Sequence, residues 1–198
     1  MADGRTPHAD GRIARGERTR DAIVEAHAAL LREGTLKPTG KVIAERAGIS
    51  LRTLWLNFND LEALLDATTA YWLASDEALR RSVDPSLPLG RRIDDYCAQR
   101  AARLENIAPA VRSAVLGEPF SAALQSSRRC HVQRSVDDLA GAFGPELAAA
   151  GDGRAALAAS LFVATSWSTW ISLRDELGLG VQAASGVLHR GVTALLHD

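Results

Sequence analysis

The chain has 198 residues, of which 46% are hydrophobic and 24% charged, and its net charge is −1; these values are ordinary for a globular protein and exclude a strongly basic or acidic one. No run approaches the roughly 18 consecutive apolar residues of a membrane span, and the polar N-terminus lacks the apolar segment of a secretory signal. Cys97 and Cys130 are too few for a disulfide framework, and no cluster of side chains has metal-ligand spacing. We therefore expect a cytoplasmic protein without a cofactor, a metal or a membrane partner.

The composition and the three- and four-residue spacing of apolar positions predict an all-α protein of about eight or nine helices. Residues 1–16 have no apolar period and are predicted to form a flexible basic tail. Gly34 and Gly48 are expected to end helices, and Pro109 and Pro119 to lie near helix starts. The predicted helices cover residues 17–33, 40–47, 51–57 or 58, 61–82, 89–106, 109–116, 119–143, 154–177 and 181–196.

The segment VIAERAGISLRTLWLNF, residues 42–58, has the pattern of a helix-turn-helix. Ala44 lets two short helices approach closely, Gly48 permits a positive φ in the turn, and Ser50 can cap the second helix. The apolar positions expected to pack the two helices together are Ile43, Ala47, Ile49 and Leu54. A generic helical hairpin would give much of the same pattern.

Charge near this segment is biased but not decisive. Within residues 36–57 there are four basic residues and only one acidic residue, Glu45; the basic residues are Lys37, Lys41, Arg46 and Arg52. A local positive face suits phosphate binding. An ordinary solvated surface explains these charges equally well.

Two features follow the turn: the spacing of Ser50, Thr53, Trp55 and Phe58, and the start of the next helix at Asp60, Glu62, Ala63 and Leu64. On these features the stretch from Arg18 to Asp66 resembles the DNA-binding head of TetR-family regulators. The resemblance implies an N-terminal three-helix helix-turn-helix head in residues 17–60. It also implies a larger helical domain in residues 61–198 that binds an effector and forms a dimer.

The resemblance implies that the head contacts double-stranded operator DNA through Arg18, Thr39, Lys41, Ser50, Leu51, Arg52, Thr53, Trp55 and Asn57. Arg52 is the main candidate for reading a guanine, although a phosphate contact without sequence information is an equal alternative. Arg18 and Arg20 are better placed to reach DNA than the other tail arginines, and Leu51 could pack on a thymine methyl group. Leu61 stands where many relatives have a lysine. Leu56 is expected to pack against the fourth helix.

The larger domain contains candidates for an effector pocket: Trp72, Tyr96, Cys97, Arg100, Phe120, Leu124, His131, Trp167 and Trp170. Core packing is the stronger explanation for each aromatic residue. Arg100 and Arg103 would suit an anionic effector, but we expect them to be solvated charges.

The last two predicted helices are more apolar than isolated surface helices should be, which favours a four-helix dimer interface. Alternatively, they close the core of the monomer. The predicted interface residues are Phe162, Val163, Trp170, Leu173, Leu177, Val187, Leu188, Val192 and Leu195.

The resemblance implies a sequence-specific transcriptional regulator and not an enzyme. It would be a ligand-responsive repressor that binds a palindromic operator as a homodimer and is released by a small-molecule effector of unknown identity. An enzyme is a weaker alternative, because no phosphate loop, nucleophile elbow or carboxylate pair is recognisable. A helical scaffold that has lost DNA binding is the second alternative, favoured by the apolar Leu51, Leu56 and Leu61.

Overall fold

A computed structural model describes residues 7–197, with side chains from residue 14 onwards. Helices make up 82% of the structure and no strand occurs in this part of the chain, which confirms the all-α prediction. Two 3₁₀ turns, Glu118–Phe120 and Gly151–Gly153, and one π turn, Ser172–Glu176, connect or extend helices. The helices are α1 (Pro7–Arg32), α2 (Gly40–Arg46), α3 (Leu51–Asn57), α4 (Leu61–Leu79), α5 (Leu89–Ala114), α6 (Ala122–Ala149), α7 (Arg154–Ala164), α8 (Trp167–Ile171) and α9 (Val181–His197).

The chain divides into two compact units. The first unit contains the residues up to Leu73 together with Pro109–Ser127. The second unit contains Ala74–Ala108 together with the residues from Arg128 onwards. Because α4, α5 and α6 each contribute to both units, the chain passes between them within helices.

The first helix begins earlier than predicted. It starts at Pro7, whereas the apolar period indicated a start near Glu17. Proline is well tolerated in the first turn of a helix, because the N–H that it lacks would have no partner there. Because residues 7–16 have no apolar period, the spacing of apolar residues could not indicate a helix start at Pro7. Residues 1–6 of the predicted tail lie outside the described part of the chain.

The core of the first unit joins its first four helices. Residues of α1 to α4 form one buried cluster, in which the side chains of Ile23, Ile43, Leu54 and Leu64 are fully enclosed. Helices α2 and α3 have seven residues each. Isolated helices of that length are unstable in water, so packing on α1 and α4 holds them.

The second unit has two buried clusters. One includes Ile93, Tyr96, Phe143 and Leu161 from α5, α6 and α7, together with Val192 of α9. The other joins α5 to the chain from α8 to α9, with Trp170 and Leu188 fully buried. Helix α5 therefore contributes to both clusters.

Several predicted helix ends in this region are wrong. Helix α5 continues through Pro109, where we expected a new helix. The segment Ala122–Ala149 consists of two helical stretches that meet at a kink, where Phe143 has a non-helical φ of −124° and ψ of 25°, so the predicted end at residue 143 coincides with the kink. A proline removes one backbone hydrogen bond and bends a helix, and in α5 the burial of Ile107 and Ala108 next to Pro109 keeps the helix continuous. The predicted helix over 154–177 is broken at Thr165, because Ser166 caps α8 by accepting a hydrogen bond from the Thr169 N–H at 3.2 Å.

One stretch of residues 7–197, Gly151–Glu176, is long and apolar enough to be a candidate membrane span, with a mean hydropathy of 1.3 over its best window. Only 28% of that window is buried. A single stretch of this kind is weak evidence for a membrane span. Its hydropathy comes partly from exposed apolar side chains such as Val163, which is 61% exposed.

Candidate nucleic-acid interface

Helices α2 and α3 are joined by a tight turn that their capping residues define. The Thr39 side chain accepts a hydrogen bond from the Val42 N–H, and the Ser50 side chain accepts one from the Thr53 N–H at 3.0 Å. Between the helices, Gly48 has a φ of 69°, as its position in the sequence predicted. Its left-handed conformation turns the chain back so that the Ile49 N–H reaches the carbonyl oxygen of Ala44.

Helix α3 has one buried and one exposed face. Leu54 is completely buried, and Phe58, the residue that ends the helix, is 1% exposed. On the opposite side lies a surface that we call the α3 outer face, formed by Leu51, Arg52, Trp55 and Leu56. The inner face anchors the helix in the core of the first unit, so the outer face is held in a fixed orientation within that unit.

Leu56 is 73% exposed, so the expected packing against the fourth helix is wrong. The helical repeat explains the difference, because the buried positions Leu54 and Phe58 lie four residues apart and place Leu56 on the far side. Leu61, at the start of α4, is also exposed, at 52%. The surface around α3 is therefore more apolar than the sequence interpretation allowed.

Trp55 packs on the first residue of α2, a contact that the sequence analysis missed. A Cβ atom added to Gly40 would lie 2.7 Å from the Trp55 Cζ2 atom and 3.4 Å from the Leu51 Cδ1 atom. Only glycine lets the indole approach the backbone of α2 this closely. The available signal was a glycine at the first position of a helix, fifteen residues before the tryptophan.

Hydrogen bonds fix the uncharged polar side chains of α3 and of its N-cap. The hydroxyl oxygens of Ser50 and Thr53 lie 2.8 Å apart, and the Asn57 side-chain amide donates to the Thr53 carbonyl oxygen at 2.8 Å. The Arg20 Nη1 atom donates to the Asn57 carbonyl oxygen at 2.7 Å, and its guanidinium lies 4.1 Å from the centroid of the Phe58 ring. Arg20 thus holds the end of α3 against α1.

The basic residues near α3 differ in whether they have partners. Arg46 forms two hydrogen bonds with the Glu33 carboxylate, at 2.7 and 3.1 Å, and the Lys41 ammonium lies 3.8 Å from a carboxylate oxygen of Glu45. Arg52 is exposed and forms no hydrogen bond or ion pair with the residues described. Arg52 is therefore the cation of α3 whose guanidinium is available to another molecule. Two further predicted contact residues, Arg18 and Thr39, are also exposed.

The predicted effector residues are distributed over both units. Trp72, Phe120 and Leu124 belong to the first unit, and Tyr96, Cys97, Arg100, His131, Trp167 and Trp170 to the second. In the first unit, Phe120 is 89% exposed, whereas Trp72 is buried and its indole N–H has no acceptor among the described residues. These residues do not share one environment.

In the second unit, the aromatic candidates are largely core residues. Tyr96 packs edge-on against Phe143 with ring centroids 5.2 Å apart, and the Trp170 indole donates to the Glu105 carboxylate at 2.8 Å. Trp167 packs against the cluster that contains Trp170. Burial raises the pKa of the Cys97 thiol to about 12, so it is an unreactive apolar group at neutral pH.

Arg100 and Arg103 are buried, so the expectation that they are solvated is wrong. The guanidinium of Arg103 donates to both carboxylate oxygens of Asp76, at 2.8 and 2.7 Å, and to Asp138. His131 is partly buried, and its pKa is lowered mainly by desolvation, with Asp76 acting in the opposite direction.

An open apolar groove of about 360 Å³ lies between α6 and α7. Its walls include Val132, Val136, Leu139, Ala158 and Phe162. Of the residues predicted for the effector pocket or the dimer interface, only Phe162 lines this groove, and it was predicted for the dimer interface.

The predicted dimer residues separate into three groups by their exposure. Trp170, Leu173, Leu188 and Val192 are buried in the core of the chain itself, which is the alternative interpretation for these positions. Phe162 and Leu195 are half-buried. The remaining three are exposed by 61%, 67% and 44%, and they are Val163, Leu177 and Val187.

No group of three or more His, Cys, Asp or Glu side chains suited to a metal ion occurs in the described part of the chain. Comparisons with protein-family models, curated proteins and solved structures find no match to this chain.

Proposed function

We propose that this chain is a sequence-specific DNA-binding transcription regulator of the TetR type, and that α3 is its recognition helix. The observation that carries the proposal is the α3 outer face, which is exposed while the opposite face of the same helix is locked into the core. An α-helix fits the major groove of B-form DNA, where each base pair presents a distinct pattern of donors and acceptors. A short helix held rigidly with one face outwards suits that use.

Arg52 is the proposed base-reading residue. Its guanidinium has no partner in the described part of the chain, so DNA binding breaks no ion pair there. Arginine can donate two parallel hydrogen bonds to the O6 and N7 atoms of guanine. Lys41 and Thr39, at the start of α2, are proposed to contact phosphates.

The apolar part of the α3 outer face supports the same proposal. Leu51, Trp55 and Leu56 are 43%, 38% and 73% exposed on one short helix. Contiguous exposed apolar side chains are typical of an interaction surface. On DNA, Leu51 and Leu56 would contact thymine methyl groups, and the Trp55 indole N–H would donate to a phosphate.

Homodimerisation is proposed through the exposed sides of α7 and α9. On α7 these sides carry Ala156, Ala159 and Val163, and on α9 they carry Val187 and Ala194. Small residues let helices approach closely, so two copies of these helices can form a four-helix interface about a two-fold axis. A two-fold dimer would present two copies of α3 to the halves of a palindromic operator.

Regulation by a small molecule is proposed for the second unit. An effector changes DNA affinity only if it binds the DNA-competent and the incompetent conformation with different affinity. A ligand that prefers the incompetent conformation would release the protein from its operator.

The proposed base reading is tested by selecting bound duplexes from a random pool with wild-type protein, Arg52→Ala and the control Arg91→Ala, which removes an exposed arginine of α5. We expect a palindromic consensus for wild type and control. The consensus selected by Arg52→Ala should lose its base preference at one position in each half-site, which corresponds to about 1–3 kcal/mol of discrimination between bases. Affinity should fall steeply with salt. An unenriched pool, together with a weak dependence on salt, would instead favour a helical scaffold.

The proposed dimer is tested with Val187→Arg, measured by sedimentation velocity and by binding to the selected operator. Val187 is 44% exposed, so the fold should change little in stability while a buried charge disrupts the interface. We expect monomers and a loss of operator affinity. Val115→Arg is the control, because Val115 is 50% exposed in the first unit. Dimers that survive Val187→Arg unchanged would place the interface elsewhere.

A further inference from the structure

Helix α5 carries three buried arginines, and two of them are neutralised by carboxylates. The Arg92 guanidinium donates to the Glu146 carboxylate and to the carbonyl oxygens of Leu87 and Ala142. Arg103 binds both Asp76 and Asp138. Buried charges are tolerated when they are paired in this way and their donors are satisfied.

Arg100 is the exception among these three. It is 7% exposed, and its Nε atom donates to the carbonyl oxygen of Thr165 at 2.9 Å. No carboxylate among the described residues forms an ion pair with it, and its Nη1 and Nη2 atoms have no acceptor there. In the described part of the chain, the Trp72 indole nitrogen is the only side-chain nitrogen or oxygen that is both enclosed and without a hydrogen-bond partner. Because the two Nη atoms of Arg100 also have no partner, both must be accessible to solvent.

The hydrogen bonds around Thr165 fix the Arg100 guanidinium in place. The Thr165 hydroxyl donates to the Leu161 carbonyl oxygen at 2.8 Å, which leaves it to accept a hydrogen bond from the Tyr96 hydroxyl at 3.3 Å. With the Thr165 carbonyl held at the end of α7 and bound to Nε, the plane of the guanidinium is set. The Nη edge therefore remains as an oriented pair of donors.

The electrostatic environment makes this cation incompletely compensated. Burial lowers the pKa of Arg100, and the Arg103 cation acts in the same direction, whereas Tyr96, Asp76 and Asp138 oppose it. The carboxylates of Asp76 and Asp138 are already bound to Arg103. An arginine stays charged at neutral pH, so an anion supplied from outside would relieve the unfavourable burial of its charge.

We propose that the Nη edge of Arg100 binds the carboxylate or phosphate group of a small molecule within the second unit. A planar guanidinium with two parallel N–H groups matches both groups in a bidentate arrangement. This proposal names the chemical class of the small molecule that regulates the second unit. Binding of the anion is independent of the proposed function, and only the effect of that binding on DNA affinity rests on it. The bond from Arg100 to Thr165 would connect the ligand to the break between α7 and α8.

Binding to the full-length chain is measured by calorimetry and thermal shift without DNA, at millimolar probe concentration. The probes are benzoate, phenyl phosphate, inorganic phosphate and benzamide, the neutral isostere of benzoate. We expect at least one of the three anions to bind and benzamide not to bind. Arg100→Met should weaken anion binding by at least about tenfold, the loss of a charge-assisted hydrogen bond. Arg91→Met, which removes an exposed charge from the same helix, should bind like wild type.

A second variant keeps the test decisive if Arg100→Met does not fold. Arg100→Lys retains the charge but loses the planar pair of donors, so it should also bind the anion more weakly. The proposal is overturned if no anion binds the wild-type chain, if benzamide binds as well as benzoate, or if the Arg100 variants bind like wild type. Because no DNA is present, a failure of the proposed DNA binding leaves these outcomes unaffected, and a separate operator-release assay tests the regulatory effect.

Discussion

The two units differ in the kind of polar group that they bury. In the first unit, the buried polar side chains among the described residues are His27, Thr68 and Ser121, which are uncharged at neutral pH. In the second unit they include the charged Asp76, Arg92, Arg100 and Arg103. The first unit thus keeps its charges on the surface, where another molecule can reach them. The second unit uses most of its buried charges to hold helices together.

The largest effect is expected for Arg103→Met. This change removes a buried cation and leaves the Asp76 carboxylate, which is 2% exposed, without its partner, whereas the Asp138 carboxylate, which is 13% exposed, keeps only Arg80. Removing one member of a buried ion pair typically destabilises a protein by about 3–5 kcal/mol. Urea denaturation monitored by circular dichroism should show that loss in the free energy of unfolding.

Arg91→Met is the matched control for Arg103→Met, because Arg91 is on the same helix and 65% exposed, with carboxylates no closer than 3.8 Å. Exposed substitutions of this kind usually change stability by less than about 0.5 kcal/mol. If Arg103→Met and Arg91→Met lowered the free energy of unfolding equally, the buried network would have no special role, and the contrast between the two units would not hold.

The turn between α2 and α3 was predictable because its requirements are local. A positive φ at Gly48 and a side-chain cap at Ser50 each depend on one residue and its nearest neighbours, and both occur. The buried positions of α3 follow from the helical repeat. The contact between Gly40 and Trp55 was not predictable in this way, because it depends on how closely two helices approach.

Arg100 and Arg103 of α5 were expected to be solvated because their residue type was given more weight than their position on the helix. Ile93, Tyr96, Cys97, Leu104 and Ile107 mark one buried stripe of this helix. Positions 100 and 103 lie on the same stripe at helical spacing, so the sequence contained a signal for their burial. Sequence alone could not identify their partners, since Asp76 and Asp138 come from other helices.

A smaller effect, and a dependence on pH, is expected for His27 in the first unit. Its Nδ1 atom lies 3.0 Å from the Thr68 hydroxyl oxygen, and that hydroxyl donates to the Leu64 carbonyl oxygen at 2.9 Å. The hydroxyl must therefore accept from His27, which assigns the proton to Nδ1. Burial lowers the pKa of His27 from 6.5 to about 4, so the folded state favours the neutral ring.

Between pH 6.5 and about 4, His27 binds a proton in the unfolded chain but not in the folded one. The free energy of unfolding should therefore fall as the pH falls through this window, by about 1.4 kcal/mol for each pH unit and about 3 kcal/mol in total. Urea denaturation at a series of pH values measures it. His27→Gln keeps a donor for Thr68 without titrating, so its stability should vary less with pH. An identical slope in both proteins would assign the pH dependence to other groups.

The smallest effect on stability, and the sharpest test of the α3 outer face, is expected for Gly40→Ala. The added methyl group would lie 2.7 Å from the Trp55 Cζ2 atom, so the indole, which is 38% exposed, must move outwards. Alanine is favoured over glycine by about 1 kcal/mol in a helix interior and by less at the first helical position, so it offsets part of the strain, and the free energy of unfolding should fall by about 1 kcal/mol or less. Operator affinity should nevertheless fall, because Trp55 and the adjacent Leu51 would be displaced from the surface proposed to meet DNA. Gly90→Ala is the control, since a Cβ atom there meets nothing within 4 Å. If Gly40→Ala bound the operator as tightly as Gly90→Ala, the position of Trp55 would not matter for recognition, and the α3 outer face would be a stable surface without the proposed role.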